Sequence, residues 1–321
     1  MREGAVKKGE ENDPRWAEKA QMRLSLALLL FSFSLTSADF SYHFVRWLET
    51  YYNFGIKEQL ERKDLGAKGA FGGKVNDSDV IRHHPVVFVH GVSDTAGQIM
   101  KRAADHFKSQ GYTDAELYGT TYFNGAQGDA LKWTQYTMKC EYVKQVRALI
   151  VSVRLYTGRA VDVISYSLGV PISRKAILGG RCVDTGEDLG APLTSIVDTY
   201  VGVAGPNHGV AQQVGALAIP GCAIPGIPLC NQVNGLYSGN CPQQSTFLND
   251  INSVARYEGR HIYTIASTAD HIVGYNVCNQ PTSRIAYADG EKVYTNGWNH
   301  DDVFKNSYHQ QLRMVRDNVI E

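Results

Sequence analysis

The chain has 321 residues, of which 43% are hydrophobic and 20% are charged, enough apolar sequence for a large buried core. Acidic and basic residues balance at 32 each, so the composition argues against a polyanionic partner such as nucleic acid.

The N-terminal part has the pattern of a targeting segment. An apolar run covers residues 24–35, after a short basic stretch, Met22-Arg23, and before small residues that end at Ala38. This pattern predicts a signal peptide over residues 22–38, cut after Ala38. The run is shorter than the roughly 20 residues of a membrane-spanning helix, so we expect no stable span, with a buried helix or a membrane anchor as the alternative. The charged residues 1–21 are interpreted either as the product of an upstream in-frame start, with Met22 as the true start, or as a poorly ordered extension.

All the cysteines lie in the remaining part, residues 39–321. They are Cys140, Cys182, Cys222, Cys230, Cys241 and Cys278. An even count behind a signal peptide predicts an oxidising compartment and up to three disulfides, in a pairing that the sequence leaves open. No C-x-x-C or H-x-x-x-H spacing supports zinc, so we expect neither a metal nor a cofactor.

Helical and strand patterns alternate along this part of the chain. An amphipathic helix is predicted from Phe44 to Tyr51, ended by Gly55, and a glycine-rich loop from Gly66 to Gly73. Strands are predicted at residues 85–89, 160–164, 199–203 and 261–265, and helices at 96–110, 133–156, after Ser167 as far as Gly179, and near the C terminus. The alternation predicts one α/β domain over residues 39–321 with a mostly parallel sheet.

One segment, residues 205–242, breaks this rhythm. It is rich in Gly, Pro, Ala and Ile, and it holds three of the six cysteines. Its prolines rule out a long helix. It is either a disulfide-braced cap beside an active site or a surface excursion, and we favour the cap because long ordered loops are often functional.

The motif Ser165-Tyr166-Ser167-Leu168-Gly169 carries the functional prediction, because it lies where a strand meets a helix. A nucleophile elbow needs this context, with small residues two positions either side of the serine. Ser167 meets that need, whereas Ser165 would have the branched Val163 as a neighbour. The simpler alternative is that Ser167 only caps the following helix.

His90-Gly91-Val92 follows the buried strand upstream. Acyl transfer needs N–H donors for the oxyanion, and the prediction is the backbone N–H groups of Val92 and Leu168. Gly91 would let the backbone approach closely. Taken alone, His90-Gly91 could equally be a tight strand exit.

The acid and the base should follow the serine in that order. Asp270 comes just past the strand at 261–265 and is preferred to Asp289, which we interpret as part of a hairpin turn. His300 lies in a polar loop before the last helix and is preferred as the base. His271 adjoins the acid directly, and His309 lies inside the terminal helix.

With these motifs the chain resembles the class 2 lipases, specifically the secreted lipase-related proteins of nematodes, and more distantly small bacterial lipases and extracellular polyester depolymerases. The resemblance also covers residues 202–209 and 234–241. It implies an α/β-hydrolase fold, secretion and carboxylic ester hydrolysis without a cofactor. Two positions depart from the family pattern: Ser165 replaces Gly or Ala, and Tyr166 stands where relatives often have His. His208 falls in a family motif and is interpreted as structural or as lining the site.

The expected function is that of a secreted lipase that cleaves lipid esters through an acyl-enzyme, with Ser167, Asp270 and His300 as the catalytic triad. The expected partner is a lipid or small ester, at an oil–water interface. The alternatives are other acyl chemistry (an esterase, a polyester depolymerase or an acyltransferase) and a lipid-binding protein without catalysis. Acyl-chain preference and positional selectivity stay open.

Overall fold

A seven-stranded sheet is the centre of the structure, a computed structural model that describes residues 39–321 except 53, 93, 126–133, 215–216, 221, 223–225 and 240. The predicted extension (1–21) and signal peptide (22–38) lie outside the described residues. The strands are β1 (Ala70–Phe71), β2 (Val86–Val89), β3 (Leu117–Thr120), β4 (Val161–Tyr166), β5 (Val197–Val203), β6 (Ala211–Val214), β7 (Leu217–Pro220), β8 (His261–Ser267), β9 (Asn276–Val277), β10 (Gln280–Pro281) and β11 (Gly290–Tyr294).

The central sheet has the strand order β1-β3-β2-β4-β5-β8-β11. Only the edge strand β1 runs antiparallel to its neighbour, and the other five pairs are parallel. The strands β6–β7 and β9–β10 form separate antiparallel pairs. The predicted, mostly parallel sheet is therefore confirmed.

Helices cover both faces of this sheet. They are α1 (Tyr42–Tyr51), α2 (Phe54–Glu61), α3 (Lys101–Ser109, preceded by a π-helical turn at Ala96–Met100), α4 (Cys140–Thr157), α5 (Gly169–Leu178), α6 (Thr246–Asn252), α7 (His300–Lys305) and α8 (Tyr308–Asp317). Val87 and Val89 of β2 pack into the apolar cluster under α1, α4 and α5, whereas Val86 and Phe88 pack into the one under α3, α7 and α8. Because successive side chains of a strand alternate between faces, a continuous apolar run suits a strand that is buried on both.

Three local predictions were wrong. Gly55 does not end the first helix but lies inside α2, and the predicted loop at 66–73 contains β1. Ala288-Asp289-Gly290 is not a hairpin turn, since β11 begins at Gly290 and runs parallel to β8. Strand β3 was also missed, because it has only four residues and one of them is Gly119. The structure needs glycine there, since a Cβ atom would come within 2.6 Å of the Phe71 ring on β1.

Three disulfides brace the part of the fold after β3. They join Cys140 to Cys182, Cys222 to Cys230, and Cys241 to Cys278. The first ties the start of α4 to the turn after α5, and the other two lie in or anchor the 205–242 segment. Within the described part of the chain, every helix is too short or too polar to cross a membrane.

A buried ion pair joins α5 to the segment before β8. Arg174 is 2% exposed and Glu258 is fully buried, with 2.9 Å between guanidinium and carboxylate. Arg174 also donates to the side-chain oxygens of Asn207 and Asn252. The guanidinium therefore connects the loop after β5, helix α6 and the approach to β8 in one buried polar network.

We predict that Glu258→Gln lowers the free energy of unfolding by about 3–5 kcal/mol, because it leaves a buried guanidinium without its counter-charge. The matched control is Glu187→Gln, since Glu187 pairs with Lys144 on the surface. That change should cost less than about 1 kcal/mol. Urea unfolding with intact disulfides measures both, and equal losses in the two variants would contradict the prediction.

Candidate active site

Ser167 lies in the sharp turn between β4 and α5, with a φ angle of 52° that non-glycine residues rarely adopt. The turn presses against the end of β2. A Cβ atom on Gly169 would lie 2.3 Å from the carbonyl oxygen of His90, and one on Gly91 would lie 2.7 Å from the Cβ atom of Ser167. Glycine is therefore required at both positions for the two backbones to meet.

The structure brings three of the predicted site residues together in one hydrogen-bonded row. The Ser167 hydroxyl lies 2.9 Å from His300 Nε2, and His300 Nδ1 lies 2.6 Å from Asp270 Oδ2. The other oxygen of Asp270 accepts the backbone N–H groups of Ile272 and Val273 at 3.0 and 3.1 Å. Because the carboxylate accepts a hydrogen bond from Nδ1–H, Nε2 is the free acceptor that faces the hydroxyl.

His300 is not in a loop, as predicted, but is the first residue of α7. Asn299 caps this helix by accepting the N–H of Asp302 at 2.9 Å. The Ser267 hydroxyl at the end of β8 donates to the Trp298 carbonyl at 2.6 Å. The first bond closes the start of α7, and the second holds the residues just before α7 against the strand that precedes Asp270.

The rival residues make other contacts. The Ser165 hydroxyl lies 2.7 Å from Ser173. Asp289 accepts the N–H of Ile262, the second residue of β8. His309 is exposed near Glu321. His208 lies 3.1 Å from Gln244, and its burial lowers its pKa to about 4, as expected for a neutral histidine with a structural role.

The two predicted oxyanion donors, Val92 and Leu168, line the same cavity as Ser167. The neighbouring His90 is fully buried: its Nε2 accepts the Tyr122 N–H at 3.0 Å, so Nδ1 carries the proton and donates to the Gly91 carbonyl at 2.7 Å. Burial lowers the pKa of His90 to about 4, which keeps the ring neutral. In a planar trans peptide the N–H points opposite to the C=O, so this bond turns the Val92 N–H away from His90.

The contacts of Tyr166, the residue before the serine, were not predicted from the sequence. Its hydroxyl donates its one proton to Asp301 at 3.0 Å, with the carbonyl of His300 3.3 Å away as a second acceptor, and its ring packs against the His300 imidazole. Lys305 binds the other oxygen of Asp301. The only signal in the sequence was the departure from the family pattern at position 166.

Ser167 and His300 open into a cavity of about 800 Å³. Its lining is partly apolar, with the largest share from the 205–242 segment, and partly polar; we call these two groups of lining residues the apolar side and the polar side. The apolar lining includes Val210, Ile227, Leu229, Leu236 and Ile272, and the polar lining includes Asp94, Gln98, Arg102, Asp301 and Lys305.

Two groups of side chains in the described residues have metal-ligand spacing, and neither lines this cavity. His84, Asp162 and Asp198 lie at the amino ends of their strands, at the opposite end of the sheet from Ser167. The second group contains Cys140 and Cys182, whose sulfur atoms form a disulfide.

Comparison with known proteins adds the following. A family model described as Lipase (class 2) matches residues 83–313. Among solved structures, lipase B of Aspergillus fumigatus is similar, with 14% identity and a TM-score of 0.52, over 78% of this chain and 56% of the fungal chain. The mature lipase BlEst2 of Bacillus licheniformis has 16% identity and a TM-score of 0.47, over 76% of this chain and 96% of its own. No curated protein sequence matches the chain.

The chain thus spans little more than half, 56%, of the length of the fungal lipase. At 14% identity this likeness concerns the fold, and it confirms the predicted α/β-hydrolase fold. The match of the family model confirms the resemblance to class 2 lipases, because it covers most of the chain.

The buried carboxyl group of Asp94 makes the stability of the folded chain depend on pH. Burial, and secondarily the charge of Asp301, raise its pKa from 3.8 to about 6. Below pH 4 the carboxyl is protonated in both the folded and the unfolded chain, but between about pH 4 and 6 the unfolded chain ionises first, so stability falls as the pH rises.

Asp94→Asn should therefore raise the free energy of unfolding by about 1–3 kcal/mol at pH 7, and the gain should vanish below pH 4. The amide can still accept the N–H of Thr95, which the carboxylate accepts at 2.8 Å. Denaturant unfolding from pH 3.5 to 8 measures the difference, with the exposed Asp105→Asn on α3 as the control. A gain that does not depend on pH would count against the buried charge as its cause.

Proposed function

Since the chain belongs to the class 2 lipase family, we propose that it is a secreted serine hydrolase that cleaves the carboxylic esters of lipids through an acyl-enzyme. The observation that carries this proposal is the 2.9 Å contact between the Ser167 hydroxyl and His300 Nε2. A serine hydroxyl is a weak nucleophile unless a base takes its proton, and an imidazole held by a carboxylate is such a base.

The proposed reaction has two steps. His300 takes the proton of Ser167 as the oxygen attacks the ester carbonyl, and the N–H groups of Val92 and Leu168 stabilise the oxyanion. Asp270 stabilises the charged imidazole, which then protonates the leaving alcohol. Water repeats the attack on the acyl-enzyme and releases the acid.

Three observations support a lipid ester as the substrate of a secreted enzyme. The family is a lipase family, and the apolar side of the cavity has room for an acyl chain. The three disulfides suit an oxidising compartment. In this proposal residues 39–321 are the mature hydrolase domain, and residues 205–242 are its cap.

Ser167→Ala should lower ester hydrolysis by about a thousandfold or more while the protein stays folded, because the attacking oxygen is removed. The measurements are rates on emulsified triacylglycerol and on short soluble esters, together with covalent labelling by a fluorophosphonate probe. Ser165→Ala is the matched control in the same motif and should keep both labelling and turnover. Labelling that persists in Ser167→Ala would refute the proposed nucleophile.

Tyr166→Phe should lower kcat by roughly tenfold with little change in KM, because it removes a hydrogen bond to the start of α7 and leaves the triad and the proposed oxyanion donors in place. Burial raises the pKa of Tyr166 far above its usual range, so the hydroxyl stays a donor at every working pH. Tyr308→Phe is the control, since that ring packs on Phe304 as well but its buried hydroxyl has no partner among the described residues.

The pH dependence separates a positioning role from a structural one for Tyr166. Loss of its bonds to Asp301 and to the His300 carbonyl should shift the acid limb of the kcat profile, which reports the base in the enzyme–substrate complex. An unchanged profile and an unchanged kcat would show that the hydroxyl does not position His300.

A further inference from the structure

The polar side of the cavity is built from two helical segments. Gln98 lies in the π-helical turn before α3 and Arg102 in the first turn of α3, and both line the cavity. Asp301 and Lys305 are four residues apart on α7 and form a 2.9 Å ion pair. Asp94 interacts electrostatically with both members of that pair, so the two helical segments contribute to one polar cluster.

The charges in this cluster cancel. Arg102 and Lys305 are cationic, and Asp94 and Asp301 are the two carboxyl groups. A site of this kind offers donors from guanidinium and ammonium beside acceptors from carboxylate and amide. A phosphate would gain two cations but would face two carboxylates, whereas a group that both donates and accepts, such as a hydroxyl, suits the whole set.

The position of His300 indicates which part of an ester would occupy this side. The imidazole must protonate the leaving oxygen, and it is carried by α7, the same helix as Asp301 and Lys305. The alcohol part of the ester then departs towards these residues. The acyl chain is left with the apolar side, where Leu229 and Leu236 of the 205–242 segment line the cavity.

We propose that this polar cluster binds the alcohol part of the substrate, and that this alcohol is an uncharged polyol with free hydroxyl groups, such as glycerol. The preferred substrate is then a partly acylated polyol, a monoacyl ester of glycerol, rather than a fully acylated one. An analogue that lacks the hydroxyl groups leaves the polar groups of the site without partners, so a site that bonds to hydroxyl groups discriminates against it. This inference rests on the proposed ester hydrolase function.

The test compares kcat/KM for three monomeric esters of one fatty acid: the glycerol monoester, the ethyl ester and the glycerophosphocholine monoester. We expect the glycerol ester to be cleaved roughly ten times more efficiently than either of the others. Emulsified trilaurin and glycerol monolaurate compare a fully acylated with a partly acylated glycerol at an interface. Glycerol monolaurate should be cleaved faster. A glycerol-to-ethyl ratio near one, or a preference for the phosphate-bearing ester, would overturn the inference.

Two variants link the preference to the cluster. Arg102→Leu and Gln98→Leu should each lower the glycerol-to-ethyl ratio by about five- to tenfold, because each removes hydrogen bonds to the hydroxyl groups. The control is Lys108→Gln, which removes a cation from the same helix at a surface pair with Asp114. That variant should keep the wild-type ratio, and an equal loss in Arg102→Leu and Lys108→Gln would show that net charge, not contact, sets the preference.

Failure of the proposed function would look different. If the protein cleaves none of the esters and Ser167 takes no fluorophosphonate label, the hydrolase proposal fails, and the inference about the alcohol fails with it. If Ser167 is labelled and all esters are cleaved at similar rates, the hydrolase proposal stands and only the polyol site is overturned.

Discussion

The close approach of two backbone segments is the constraint on which the rest of the candidate site depends. The exit of β2 meets the turn between β4 and α5 at Gly91 and Gly169, with no room for a Cβ atom on either residue. This contact holds Ser167 in its left-handed conformation and brings Val92 and Leu168 to the same cavity. A side chain at either glycine would push apart the elements that carry the serine and the proposed oxyanion donors.

Around this contact, buried polar groups set orientation rather than supply chemistry. The neutral ring of His90 donates to the Gly91 carbonyl and so turns the next peptide. Tyr166, the residue beside the serine, bonds to the start of α7, which carries His300. Ser267 bonds to the Trp298 carbonyl just before the same helix, and Asn299 caps its first turn. Each bond restricts one of the groups whose distances decide whether a proton can be transferred.

The apolar and the polar lining residues of the cavity come from different segments of the chain. Its apolar side comes largely from the 205–242 segment, which the disulfides Cys222–Cys230 and Cys241–Cys278 brace. Its polar side comes from the start of α3 and from α7. An ester has the same division into an acyl chain and an alcohol, and His300 lies on the side where the alcohol would leave.

The sequence by itself determined the α/β alternation, the two-face burial of β2 and the local contexts of Ser167 and Asp270, because hydrophobic period and turn chemistry are properties of neighbouring residues. It could not determine the disulfide pairing, the parallel edge strand β11 or the short strand β3, which depend on partners far along the chain. The bond from Tyr166 to Asp301 and the burial of Asp94 also exist only once α3, α7 and the turn at Ser167 are packed together. Only the tertiary structure decided these, since distance, burial and field arise between elements rather than within them.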